Sequence, residues 1–274
     1  MKKYMMQAIV PITIFILCLM YLYVQPSGLN LDIDFKGGTE LVIASQQPFD
    51  TAKMEASMKQ YDATVRVAKS LTSYSTMVNF DAKINPTDVV KTLHQDGFAF
   101  EKYSVQSMSP VLSASFLNQA IWVLAISFIF MFIVILFIFK SPLIGIYIAI
   151  CPAMTIIETL AVTQALGFRL SLAGFAALIM IVGYSADDDV IIAQRALKRT
   201  DISMDERFRA SFKTNMTMHF ATMVALLGLF LLSISAVITT IAIYLIIGLC
   251  LDLTNTWMLN ANLLRWHIDK KGVK

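Results

Sequence analysis

Six stretches of this chain are each apolar for the length of about 20 residues that a helix needs to cross the hydrocarbon core of a bilayer. They lie near Gln7–Val24, Leu117–Phe139, Leu143–Phe168, Leu172–Ala193, Phe220–Ile238 and Thr239–Leu264. Lipid offers no water to satisfy a backbone N–H or C=O, so each stretch is expected to be helical. The last two abut, and a tight turn near Ile234–Thr240 has to separate them. Of the 274 residues only 15% are charged, against about 25% in a soluble domain. The bulk of the chain is written for lipid.

Charge sets the expected orientation. With a cytoplasmic amino terminus, the inner segments carry Lys2, Lys3, Lys140, Arg195, Lys198, Arg199, Arg207, Arg209, Lys213, Arg265, Lys270, Lys271 and Lys274, whereas the short outer loops carry only Arg169. Such a bias in short loops places both termini inside a multi-pass protein of the cell membrane. Lys2 and Lys3 ahead of an apolar run look like a secretory signal, but the run is longer than a signal core and no small-x-small cleavage site follows Val24. The segment reads as a retained anchor. The polar, basic loop Gln194–Ser211 is expected along the inner surface, near lipid headgroups. The net charge of +3 follows from this bias and gives no reason to expect nucleic acid.

Between the first two spans, residues 25–115 hold ten acidic and eight basic side chains, enough for a small water-soluble domain on the outer face. Thr39–Ala44, Thr64–Lys69, Thr76–Phe80 and Glu101–Ser107 read as strands. Asp50–Tyr61 reads as a helix capped by Asp50, and a second helix opens at Asn85–Pro86, runs to Gln95 and stops at Gly97. The order β-α-β-β-α-β is that of a ferredoxin-like α+β domain. The expected architecture is therefore a first helix over 1–24, an extracytoplasmic domain over 25–115, and a five-helix region over 116–274.

Ionisable groups in the spans are the candidates for function. Asp187, Asp188 and Asp189 are consecutive in the fourth span. Neighbouring helix residues project about 100° apart, so one or two of the three can face the bundle interior. Tyr184 and Ser185 precede Asp188 by four and three residues and share its face. The plainer alternative is a span that ends near Ser185 and leaves all three acids in the cytoplasmic interface. Glu158 in the third span has Thr155 and Thr159 at helical neighbour spacing. It can stay protonated, bind a partner, or belong to a proton path. Asp252 and Asn255 share a face of the sixth span, where hydrogen bonding between helices is the simpler role. His219 reads as a packed or hydrogen-bonded polar group. Cys18, Cys151 and Cys250 fall inside spans as small apolar fillers, without a disulfide framework or metal-ligand spacing. No Walker loop, zinc triplet or nucleophile–base set is evident, so neither enzyme activity nor a cofactor is expected.

Three strings carry a resemblance. Asp32-Ile-Asp-Phe-Lys-Gly-Gly-Thr-Glu-Leu41 is similar to the signature after the first span in the SecD/SecF family of protein-export membrane subunits. Its paired glycines suit a sharp turn from membrane to sheet. Ile181-Val-Gly-Tyr-Ser-Ala-Asp-Asp-Asp189 resembles the SecF version of the fourth span, and Asp252-Leu-Thr-Asn-Thr-Trp257 with Asn260 and Leu264-Arg-Trp266 is similar to the last span of archaeal-type SecF. The layout of one span, an outer domain and five spans extends the resemblance over nearly the whole chain.

The resemblance implies the rest. The family belongs to the resistance-nodulation-division superfamily, in which two six-span halves pair, so a separate SecD partner is implied. The other implied partners are the Sec protein-conducting channel of SecYE type, unfolded preprotein and membrane lipid. Asp34, Phe35, Gly37, Gly38 and Thr39 match the signature turn, and Asp188 matches the inward proton carrier. Lys213 stands where bacterial relatives have an arginine; it is either the counter-charge of Asp188 or the basic flank of the span. Glu158 stands where many relatives have an aspartate. The implied function is an ion gradient, of protons or sodium, driving movement of the outer domain during export. The alternatives are a non-transporting scaffold of the channel and half of a small-molecule or lipid exporter of the same superfamily.

Overall fold

The computed structural model describes residues 2–25, 28–69, 74–100, 102–198, 202–233 and 235–271. Arg199, Ile234, Glu101 and Lys274, which figured in the expectations above, lie outside the described residues.

Helix α1 (Lys2–Val24) leads into a one-turn helix α2 (Ile33–Lys36), and the small domain follows: β1 (Gly38–Ser45), α3 (Thr51–Met58) with a 3₁₀ turn at Lys59–Tyr61, β2 (Thr64–Lys69), β3 (Tyr74–Phe80), α4 (Pro86–Gln95) and β4 (Tyr103–Met108). The strands form one antiparallel sheet in the order β2-β3-β1-β4. The register sets Leu41 opposite Val78 on one side and Val105 on the other. Leu41, Ile43, Met54, Met58, Val78, Val89 and Leu93 interlock as the domain's own apolar core. Its caps are those the sequence names. Asp50 accepts from the Ala52 and Lys53 amides at 3.0 and 3.2 Å, and Asn85 accepts from Thr87 at 3.1 Å ahead of Pro86.

Long helices make up the remainder: α5 (Pro110–Phe139), α6 (Pro142–Ala165), α7 (Leu172–Lys198), α8 (Met204–Leu232) and α9 (Ala236–Thr254). Helix α9 continues through a widened π turn (Asn255–Asn260) into α10 (Ala261–Lys271). Among the described residues, Met6–Val24, Pro110–Phe139, Pro142–Ala165, Met204–Leu232 and Val237–Lys270 are long and apolar enough to cross a membrane. Helix α7 is as long as these, but any crossing length of it takes in all three aspartates. Helices α6, α7 and α9 pack on one another at the centre, α1 and α5 lie against α6, and α8 closes the side next to α7 and α9.

Several boundaries differ from expectation, and α5 already starts at Pro110, inside the stretch 25–115 expected for the sheet domain. Most of 194–211 is helical, because α7 runs on to Lys198 and α8 starts at Met204. The cause is a capping box in which the Ser203 hydroxyl accepts from the Glu206 amide and the Glu206 carboxylate accepts from Ser203. Helix α8 then stops at Leu232, six residues before the expected Ile238, and the Ser233 and Ser235 backbone is extended there.

The sheet domain is fastened to one end of the bundle by the segment that follows α1. Asn30 exchanges hydrogen bonds with the Gln164 side chain at the end of α6 (2.8 and 3.2 Å), and the Leu170 amide donates to Asn30 at 2.8 Å. The Asp32 amide donates to the Leu170 carbonyl at 2.9 Å, and the Ser113 hydroxyl of α5 donates to the Ile33 carbonyl at 3.0 Å. The segment therefore reaches α5 and α6 through the Ser113 and Gln164 side chains, and Leu170, just ahead of α7, through main-chain hydrogen bonds.

Candidate functional site

The signature turn is built for close approach. Asp32 caps α2 through the Ile33 amide at 3.0 Å. Gly37 follows at φ +81°, where a Cβ would meet the Pro110 Cα at 2.8 Å, so a side chain is excluded by both conformation and space. Gly38 at φ +141° presses on Ile33 and the Phe80 carbonyl. Thr39 shares a 2.8 Å hydrogen bond with Ser107 on β4. Phe35 meets Phe175 of α7 edge-on at 6.2 Å.

Asp34 makes the most consequential contact of the turn. Its Oδ2 accepts from the Leu172 amide at 2.8 Å, the first amide of α7. Ser171 caps the same end through the Gly174 amide at 3.2 Å. A carboxylate at a helix N-terminus meets both unpaired amides and the positive end of the dipole. The turn that leads into the sheet domain thus holds the end of the helix that carries the three aspartates.

Acids crowd this junction. Burial, and then the charges of Asp32 and Asp34, push the Glu40 carboxyl up to about 7, opposed by Asn79 and Arg169. Burial likewise raises Asp32 and Asp34, while the amides they accept from pull the other way.

Midway along α7 the three aspartates separate, as helix geometry requires. Asp187 is exposed, whereas Asp188 and Asp189 are buried at 3% and 0% exposure. The Asp188 Oδ2 lies 3.0 Å from His219 Nδ1 on α8, and the other ring nitrogen, Nε2, lies 3.9 Å from Oδ2 of the buried Asp252 on α9. Asn215, one turn before His219, donates to the Asp188 carbonyl at 3.2 Å. Two carboxyls on different helices therefore face one imidazole.

From Asp252 the polar chain continues through α6. The Thr155 hydroxyl donates to Asp252 Oδ1 at 3.2 Å, and the Asn255 amide donates to Thr155 at 3.0 Å and to Glu158 Oε2 at 2.8 Å. Thr159 and Thr163, both buried, donate back to carbonyls one turn earlier at 2.6 and 2.8 Å. Gln164 completes the row beside Asn30. A buried polar strip thus links the sheet-bearing end of the bundle to His219.

Several expected partners are elsewhere. Lys213 is exposed on α8, and the cation-capable side chain paired with Asp188 is His219. His219 follows Lys213 by six residues, which puts the two on different faces of α8. Tyr184 is 37% exposed, at the margin of the face that buries Asp188. Ser185 is buried but lies against the Asp252 carboxyl instead of Asp188, short of a formed hydrogen bond. Asp252 and Asn255 hydrogen-bond the neighbouring α6, and Asp252 also faces His219. Residues given no site role from the sequence are His219 as a partner, Asn215 and Gln164, while Thr256 and Asn260 entered only within the last-span string. The polar row at 155, 158, 159, 163 and 164 on one α6 face was a readable signal.

Comparison with known proteins follows this geometry. Residues 88–270 match the family model described as protein export membrane protein SecD/SecF, C-terminal. The chain is 31% identical over 281 residues to the protein-export membrane protein SecF of Methanocaldococcus jannaschii, covering 100% of this chain and 99% of that one. It is 30% identical to the SecF of Methanothermobacter thermautotrophicus, covering 99% and 95%. Its fold matches a crystal structure of SecDF, a translocon-associated membrane protein from Thermus thermophilus, with a TM-score of 0.79 at 15% identity. That match takes in 96% of this chain, which spans 38% of the longer one.

Proposed function

The chain belongs to the SecD/SecF family of protein-export membrane proteins, and from that premise we propose that it is the SecF-type half of an ion-driven export device. In this reading α1, α5, α6, α7, α8 and the continuous α9–α10 are six spans, the sheet domain is ferredoxin-like and extracytoplasmic, and both termini face the cytoplasm. A SecD-type half pairs with it beside a SecYE-type channel and handles unfolded preprotein. It is a transporter component and not an enzyme.

One observation carries the proposal: Asp188 and Asp252 face the two nitrogens of a single buried imidazole. Imidazole is the side chain whose charge changes nearest neutral pH. A proton reaching Asp252 by way of the α6 strip passes to His219 Nε2, and the Nδ1 proton passes to Asp188. The 3.9 Å separation at Nε2 exceeds hydrogen-bond length, so transfer needs a small approach of α8 to α9. That requirement makes proton movement and helix movement one event.

The second half of the device is mechanical. Helix α7 carries Asp188 at mid-length and is held at its first residue by Asp34 of the signature turn. Displacement of α7 therefore reaches the outer domain directly. One charge crossing 100 mV yields about 2.3 kcal/mol, enough to shift a two-state balance by roughly fiftyfold.

The test is the substitution D188N in the chain assembled with its SecD-type half in proteoliposomes. Loss of ion flux and of gradient-stimulated export, with assembly intact, supports the device. Full gradient-coupled export by D188N would leave only a scaffold role.

A further inference from the structure

Asp189 takes no part in the relay, and its setting is unusual. It is fully buried, and the charged groups acting on it include the carboxyls of Asp252 and Asp188, both of its own sign. Its carboxyl is turned toward the side chains of Asn260 and Thr256. Both Asp189 oxygens, the Thr256 hydroxyl and both polar atoms of the Asn260 amide are nonetheless without hydrogen bonds, at exposures of 0%, 1% and 0% for the three residues. Native proteins rarely leave one buried polar atom unpaired, and here three side chains that face one another are all unpaired.

The backbone prepares this arrangement. Thr256 and Asn260 both sit in the π turn that joins α9 to α10. The widened turn brings residues four apart onto one face and recurs at functional sites. Helix α7 supplies Asp189 opposite them, and α6 supplies Cys151 beside it.

We propose that Asp189, Thr256 and Asn260 form a binding site for a monovalent cation of sodium's size, distinct from the relay through His219. The donor atoms are a carboxylate, a hydroxyl and an amide oxygen, a hard set that suits alkali or alkaline-earth ions. Charge selects between those classes. One carboxylate balances one positive charge, whereas calcium and magnesium sites draw on more carboxylates or retained waters. Transition metals prefer imidazole or thiolate. The neighbouring Cys151 directs its thiol to the Asn255 carbonyl at 3.5 Å and so keeps its proton. A cation here closes all the unpaired oxygens at once and ties the π turn to α7, next to the residue that titrates.

Trp257 lies inside the π turn and packs edge-on against Phe212 at 4.9 Å, so it reports on this segment. In the full chain in nanodiscs, W122F/W266F leaves Trp257 as the sole tryptophan. Sodium chloride titrated against choline chloride at constant ionic strength is expected to give a saturable change in its emission, with potassium chloride at least about tenfold weaker. T256V, nearly isosteric, should weaken the response about tenfold, and D189N should abolish it. D188N should keep it, which separates this site from the export reading. Sodium should also raise the thermal midpoint of the parent and not of D189N or T256V, a readout that serves if D189N folds poorly. No sodium-specific response in the parent, or an undiminished response in both variants, overturns the site.

Discussion

The His219 imidazole sits 3.0 Å from the Asp188 carboxyl, on the neighbouring helix and away from every basic residue that flanks the spans. A charge-assisted contact at this depth offsets part of the cost of holding a carboxylate in the interior. The relay therefore depends on α8 presenting His219 inward, and that geometry sets the first expectation.

H219Q keeps a hydrogen-bonding side chain of similar reach but removes the charge. Ion flux in proteoliposomes should fall at least about tenfold, the effect of a charge partner worth about 1.4 kcal/mol or more. K213A should leave flux unchanged and stability within about 0.5 kcal/mol, because Lys213 is exposed. The reverse ranking of the two variants would return the counter-charge to Lys213.

Asp34 should matter through α7. D34A strips an N-terminal acceptor and should cost about 1 kcal/mol in thermal unfolding, with D34N less affected because it keeps an oxygen. Both should retain the Asp188–His219 contact. If D34A uncouples export from the gradient while ion flux persists, the contact at Leu172 transmits the movement.

Gly37 permits no side chain. G37A combines φ +81° with a Cβ 2.8 Å from the Pro110 Cα, and it should destabilise the junction by at least about 2 kcal/mol. Limited proteolysis of the outer domain reads this directly, and unchanged resistance would mean that α5 can retreat from the turn.

Glu40 gives the outer domain a pH dependence. Its carboxyl ordinarily titrates near 4.5 and is pushed up to about 7 in the fold, so the folded domain binds its proton more tightly than the unfolded chain does. Stability is then greatest in acid and drains as pH rises through about 4.5 to 7. The loss should be on the order of 2 kcal/mol, given partial exposure. E40Q should flatten the profile measured by thermal unfolding between about pH 3.5 and 8, roughly one unit beyond each end of that window.

Much of the molecule was legible because its causes are local. The caps at Asp50 and Asn85, the order of strands and the glycine turn each depend on a few neighbouring residues and are found where the sequence puts them, and the apolar runs are helical with shifted ends. The inward set of the polar site was harder. Helical phase shows that Asp187 and Asp189 cannot face the same way, but phase alone does not say which of the three face inside. The choice between counter-charge and basic flank for Lys213 was open for the same reason: proximity along one helix says nothing about which neighbouring helix lies opposite.

The amino-acid order by itself determined the solvent of each segment, since transfer of apolar side chains and backbone out of water depends on composition over one helix length. It also determined the sheet domain's elements and the need for Gly37. Only the packing of α6, α7, α8 and the π turn decided that His219 stands between Asp188 and Asp252, and that Asp189 meets Thr256 and Asn260. Those contacts join residues tens of positions apart in the chain, and they are fixed by how whole helices seat against one another.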